Sequence, residues 1–313
     1  MRTITLFDTS AASDNLGDQI IVEAVRDVID EVLPDAYVYT VATHEYITGA
    51  SKKLLKASDF SIVAGTNILA SNMEARTLWK LLPWDAFAIG HAVLLGCGWL
   101  NYMNPPNAYS RWLLNRILSA KHLHATRDDY TKEKLAGIGR QTANTSCPTM
   151  WRLTEAHCAE IPVKQAGAAV ITLTHYLGKP EIDRTFVELV KRHYGQVYFW
   201  SQQCEDMEYF ESLSVPGYRV VKPSLRGFDE LLEGTDIDFI GTRLHGGIRA
   251  MQKKRRALIL AVDNRATEIS KGTQLPITRR DDFAYMESWI TNPQPTRIVL
   301  PQAEIDRWKA QFK

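Results

Sequence analysis

Short apolar runs and longer amphipathic stretches alternate along almost the whole chain. Ile4-Thr5-Leu6-Phe7 reads as a strand. Ile21, Val25, Val28, Ile29 and Val32 then recur at helical spacing, so Asp18 to Leu33 is expected to be a helix, closed by Pro34. Further strands are predicted at Tyr37–Val41, Phe60–Ala64 and Ala92–Leu95, an extended stretch at His122–Ala125, and helices at Ala108–Leu118 and Asp128–Leu135. Between residues 140 and 166 the periodicity lapses, and Pro148, Pro162 and polar side chains suit a linker. The alternation then restarts. Strands are expected at Ala168–Leu173, Gln196–Trp200, Tyr218–Val221, Ile237–Ile240 and Ala257–Val262, with helices at Glu181–His193 and Phe228–Leu232. Two strand–helix series separated by a break predict an α/β chain of two Rossmann-like domains facing each other across a cleft. Residues 1–150 form the first and 151–300 the second, and a helix at Ala303–Phe312, within residues 301–313, packs back on the body.

Composition narrows the partners. Lys plus Arg number 37 and Asp plus Glu 36, so no overall field favours nucleic acid, and attraction for an anion must be local. The run Lys253-Lys254-Arg255-Arg256 falls between a helix end and a strand. It reads as solvated cations complementing the helix dipole, without the interleaved aromatics of single-strand binding. Cys97, Cys147, Cys158 and Cys204 are widely spaced and form no C-x-x-C pair, which points to reduced thiols and no structural zinc. The N-terminus lacks a long apolar segment, and Ala86–Leu100 carries His91 and three glycines and is too short to span a bilayer. A cytoplasmic protein is expected, and peripheral attachment at the inner face of the membrane is compatible with it.

The chemistry concentrates at strand ends. Gly241-Thr242-Arg243-Leu244-His245-Gly246-Gly247 follows the apolar run Ile237–Ile240 and precedes a helix. Open α/β sheets bind ligands at such carboxyl ends. In an extended segment, Arg243 and His245 would point to the same side. A permanent cation beside a titratable imidazole suits an anionic substrate whose reaction moves a proton, provided both stand open to it. His175 and Lys222, also at strand ends, would complete a basic rim. Arg127 precedes a helix capped by Asp128 or Asp129, and both a surface ion pair and a phosphate or carboxylate contact fit it. Asn67, in Gly65-Thr66-Asn67, suits a ligand contact or a plain turn. Asn15 and Asp18, in Asp14-Asn15-Leu16-Gly17-Asp18-Gln19, lie at a helix start that could take an anion, or Asp14 or Asp18 could simply cap it. Asp263 and Asn264 could touch substrate or cap a short helix. Gly96-Cys97-Gly98 permits close backbone approach, with Cys97 a buried packing residue rather than a nucleophile. Neither G-x-G-x-x-G nor a phosphate-binding P-loop is present.

Asn15-Leu16-Gly17-Asp18, Ala64-Gly65-Thr66-Asn67, Gly96-Cys97-Gly98, Thr126-Arg127-Asp128 and above all Gly241-Thr242-Arg243-Leu244-His245 together make residues 5–265 resemble the polysaccharide pyruvyl transferase family. Two departures are visible. Gly65-Thr66-Asn67 is poorer in glycine than the family usually is, and Thr174-His175 stands where members often have Ser and Arg. The resemblance implies a fold like the GT-B glycosyltransferases, with phosphoenolpyruvate as co-substrate and no cofactor or metal. It implies a sugar acceptor in a glycan or lipid-linked precursor, and a pyruvate ketal as product. Arg243 and His245 match the family's essential R-x-H, and Arg127 an arginine thought to hold the donor. Lys222, His175 and Asn67 are then expected to assist with the donor, while Asn15, Asp18, Asp263 and Asn264 line the acceptor side. Two alternatives compete: a GT-B-like glycosyltransferase using a nucleotide sugar, and a non-catalytic sugar- or anion-binding protein.

Overall fold

The computed structural model describes residues 1–75 and 78–313. Strands β1 (Thr3–Asp8), β2 (Tyr37–Ala42), β3 (Phe60–Ala64), β4 (Ala92–Cys97), β5 (His124–Thr126) and β6 (Thr142–Asn144) form a parallel sheet in the order β2-β1-β3-β4-β5-β6. Strands β7 (Ala168–Thr172), β8 (Gln196–Phe199), β9 (Arg219–Val220), β10 (Ile237–Gly241), β11 (Ala257–Ala261) and β12 (Ile277–Arg279) form a second parallel sheet, in the order β12-β11-β10-β7-β8-β9. The connecting helices are α1 (Leu16–Val32), α2 (Gly49–Ala57), α3 (Ala108–Ile117), α4 (Asp129–Ala136), α5 (Glu155–Ala159) and α6 (Pro180–His193). They continue as α7 (Cys204–Ser212), α8 (Leu225–Gly234), α9 (Leu244–Gln252), α10 (Asn264–Thr273), α11 (Phe283–Thr291) and α12 (Gln302–Ala310). Every residue of β3, β4, β7 and β10 is buried, which explains why these strands are mostly apolar rather than alternating. Among the described residues no helix is long and apolar enough to cross a membrane.

The α/β class with two Rossmann-like sheets is as expected. The chain divides into one unit of residues 1–13, 21–151 and 300–313 and another of residues 14–20 and 152–299, so the division is not a single cut. Within the first unit, α12 packs by its aromatic side chains: Trp308 meets Trp151 edge-on, and Phe312, just beyond the helix, stacks on Phe60. The expected linker at residues 140–166 is largely structured. It contributes edge strand β6, a 3₁₀ turn at Pro148–Met150 and α5. These pieces are three to five residues long, too short for a periodicity to register.

Each sheet has one place where the strand order reverses, between β1 and β3 in the first and between β7 and β10 in the second. Ligands of open α/β sheets sit outside the carboxyl ends of the strands at such points. At the second, Gly241 is required by close approach, since an added Cβ would lie 2.3 Å from Thr172 Oγ1 and 2.7 Å from Thr172 N. The strand pair then opens directly into Thr174 and Thr242, whose hydroxyls share a 2.8 Å hydrogen bond.

Candidate active site

The rim of the second sheet is organised by Asp206. It lies in the first turn of α7, completely buried, and the backbone N–H of Gln203 donates to its Oδ2 at 3.0 Å. Arg243 donates from Nε to Asp206 Oδ2 at 2.8 Å and from Nη2 to Oδ1. His175 joins the same carboxylate through Nδ1 at 3.1 Å and its backbone N–H at 3.2 Å. The Tyr176 ring lies 5.4 Å from the Arg243 guanidinium. Its hydroxyl accepts from Arg265, which is itself paired with Asp263. Segments after β7, β8, β10 and β11 thereby meet in one polar cluster at the strand-order reversal, its two hydrogen-bonded groups joined by the Arg243–Tyr176 contact.

This geometry corrects the expectation of two open groups. Arg243 is only 3% exposed and His245 6%. Arg243 is the last extended residue before α9 and caps it without a side-chain bond, whereas His245 is already the second helical residue. The two-residue spacing therefore does not place both side chains by strand alternation. The guanidinium is locked in a bidentate pair, with Nη1 left as its remaining donor arm among the described residues. The α9 N-terminus still presents backbone N–H groups at Leu244, His245 and Gly246, an arrangement suited to an anion. An added Cβ at Gly247 would stand 2.5 Å from Ile259 Cγ1, so that glycine seats the helix against the sheet.

The other expected residues scatter. Lys222 is exposed after β9, three strand positions from β10, roughly 14 Å across the sheet. The expected basic rim of four groups is therefore not one cluster. Asp263 caps α10 by accepting from Arg265 N at 2.9 Å. Asn264 begins that helix with Oδ1 buried and without a hydrogen-bond partner among the described residues. Asn15, rather than Asp14 or Asp18, takes the capping role at α1: its Oδ1 accepts from Gly17 N at 2.9 Å and from Gln202 Nε2 at 2.8 Å. Gln202, on the loop after β8, keeps Oε1 buried without a hydrogen-bond partner among the described residues. Asp18 is buried in the first turn of α1, where a carboxylate complements the helix dipole.

The first unit has its own polar rim. Arg127, 2% exposed, donates from Nη1 to Asn67 Oδ1 at 2.6 Å and from Nε and Nη2 to Asp128 Oδ2. Asp128 uses its other oxygen to cap α4 through Thr131 N at 2.8 Å. The ion pair at Arg127 is thus buried, not superficial. Gly98 makes room for it, because an added Cβ would stand 2.3 Å from Arg127 Nη2. Cys97 is fully buried, and desolvation pushes its thiol up to about 12, which suits packing and not nucleophilic attack. The run at 253–256 is dispersed: Lys253 pairs with Glu233, Lys254 with Glu160, and Arg256 is buried against the Trp289 ring. The last departs from the expected solvated face because its guanidinium finds carbonyl acceptors on Trp289 and Val163.

Sequence reasoning missed Asp206. The available signal was an acid at the third position of a helix, where its carboxylate can accept from the backbone N–H three residues earlier, here that of Gln203.

Solved structures with similar architecture include the Methanocaldococcus jannaschii UDP-GlcNAc 2-epimerase in complex with UDP-GlcNAc and UDP. That likeness has a TM-score of 0.57 at 10% identity, covering 96% of this chain and 95% of that one. The S. aureus MnaA–UDP co-structure follows, with a TM-score of 0.53 at 11% identity, covering 94% and 92%. At these identities the likeness establishes the fold, that of two Rossmann-like domains. No curated protein matches the sequence significantly. A family model described as polysaccharide pyruvyl transferase matches residues 15–264, a span that includes Asn15, Arg127, Asp206, Arg243 and His245. The chain belongs to the polysaccharide pyruvyl transferase family.

Proposed function

We propose that the protein transfers pyruvate from phosphoenolpyruvate to two hydroxyls of a sugar in a glycan or glycan precursor, forming a cyclic ketal and releasing phosphate. The observation that carries this reading is the family match, with its Arg243-x-His245 segment at the strand-order reversal of the second sheet. Phosphoenolpyruvate holds a phosphate and a carboxylate on a three-carbon frame. A guanidinium fixed by Asp206 and the N–H groups opening α9 are chemically matched to such anions. Arg243 is assigned to donor binding through its remaining arm, and His175 to holding the shared carboxylate. Arg127 is proposed as a further anion contact.

The proton balance is simple. Protonation of the methylene carbon makes C2 electrophilic, and the first sugar hydroxyl attacks it with loss of its own proton. Departure of phosphate re-forms a cation at C2, and the second hydroxyl closes the ring. One hydroxyl proton replaces the one delivered to carbon, and the other leaves on phosphate. His245 is proposed to give the first proton and recover it, since an imidazole ordinarily titrates near neutrality. His245→Ala should lower kcat by ~10²–10⁴-fold, measured as phosphate release. Turnover near that of the parent would remove His245 from this role.

The nucleotide-sugar reading shares the phosphate-binding chemistry, and two neighbours in fold carry UDP. Thermal unfolding separates the readings. A ligand at ~100 times its Kd adds about 2.7 kcal/mol, so phosphoenolpyruvate should raise Tm and UDP-sugars should not. Phosphoenolpyruvate binding without phosphate release on any offered glycan would favour the non-catalytic alternative.

A further inference from the structure

The first unit carries an exposed aromatic and basic patch on α3 and the 3₁₀ turn at Pro83–Phe87. Residues 76–127 contain a single acid, Asp85, alongside Lys80, Arg111, Arg116 and Lys121. Asp85 is completely buried and ion-paired with Lys52 at 2.9 Å, so it contributes no exposed negative charge. Helix α3 buries Ser110, Leu113, Leu114 and Ile117 and exposes Arg111, Trp112 and Arg116 on the opposite face. A 3₁₀ turn at Pro83–Phe87 contacts this helix. Trp84 and Phe87 are three residues apart, so they eclipse one another on that turn. They are 59% and 67% exposed, and Trp112 is 42% exposed. The Arg116 guanidinium lies 5.2 Å from the Phe87 ring, which joins the two elements into one patch. Glu74, which precedes the segment, accepts from Asn107 and Ser110 at the start of α3 and is the acid beside this face.

We infer that this patch docks the protein on an anionic membrane surface, with Trp84, Phe87 and Trp112 entering the interface and Arg111 and Arg116 reaching the headgroups. Trp belongs to the amphipathic side chains that settle at headgroup depth. Phe87, with no polar atom to offer a hydrophilic partner, gains by leaving water. Arginines on the same face keep their charge at the surface while their stems lie along apolar groups. Arg111 and Arg116, exposed on the same helix face as Trp112, give this patch cations that match a negatively charged leaflet. The inference does not depend on the pyruvyl-transfer reading, since it concerns binding alone.

The test is co-sedimentation of the full chain with vesicles of phosphatidylcholine or of phosphatidylcholine mixed with phosphatidylglycerol. The protein should pellet with the anionic vesicles only, and added salt should release it. Arg111→Ala and Arg116→Ala should each weaken binding by about fivefold. The triple variant Trp84→Ser, Phe87→Ser, Trp112→Ser should lose about tenfold or more, with its far-ultraviolet circular dichroism and thermal unfolding unchanged. Equal binding to both vesicle types, no binding to either, or full binding by the triple variant would overturn the inference. So would capture of a soluble anionic polysaccharide in place of vesicles.

Discussion

Asp206 holds Arg243 in a two-point grip and His175 in a third contact, although neither partner is near it in sequence. Arg243 and His245 were legible because cation and imidazole chemistry can be recognised by residue type at a strand end. The burial of Arg243 was not legible, because it depends on a carboxylate delivered by a separate helix. Asp206→Asn would leave the Arg243 guanidinium buried beside a neutral amide. Removing one partner of a buried pair costs about 3–5 kcal/mol, so urea unfolding should show a loss of that size. Unchanged stability would mean that the pair is more hydrated than its burial implies.

Among the elements, long periodic helices and buried strands were read within a residue or two: α1 was expected at Asp18–Leu33 and forms at Leu16–Val32. Helix α7 was missed because Cys204–Ser212 carries few apolar residues, of which only Phe210 is buried. Strand β12 was missed because it has only three residues. The reversal between β7 and β10 makes Gly241 sensitive. Gly241→Ala would drive a methyl group into Thr172 backbone, and overpacking typically costs about 1–3 kcal/mol, so a lower Tm is expected. Strand β5 supplies a pH effect. His124 Nδ1 accepts from Leu94 N at 3.2 Å while Nε2 faces the Ser119 carbonyl at 2.9 Å, which selects the neutral ring protonated at Nε2. Burial lowers its pKa from 6.5 to about 4. Between those values the unfolded chain binds the extra proton, so stability is complete above pH 6.5 and falls as pH drops toward 4. The loss amounts to about 3 kcal/mol. Urea titrations across this range should show the slope, and His124→Asn should flatten it.

At the scale of the molecule, the sequence carried the architecture because alternating strands and helices leave few topologies open. The exact strand orders were not legible, and they decide which loops meet. One order collects the loops after β7 and β10 beside those after β8 and β11, while leaving Lys222 at an edge strand. Asn67 and Arg127 likewise meet because β3 and β5 flank β4. The central claim is that Arg243, held by Asp206, binds phosphoenolpyruvate as the donor. Isothermal titration of phosphoenolpyruvate into the parent protein and into Arg243→Lys tests it without knowledge of the acceptor. Lysine cannot grip Asp206 at two points and still offer the donor a further arm, so the account predicts saturable binding to the parent and affinity at least about tenfold weaker in the variant. Equal affinity in the two, or no binding to the parent, would contradict it.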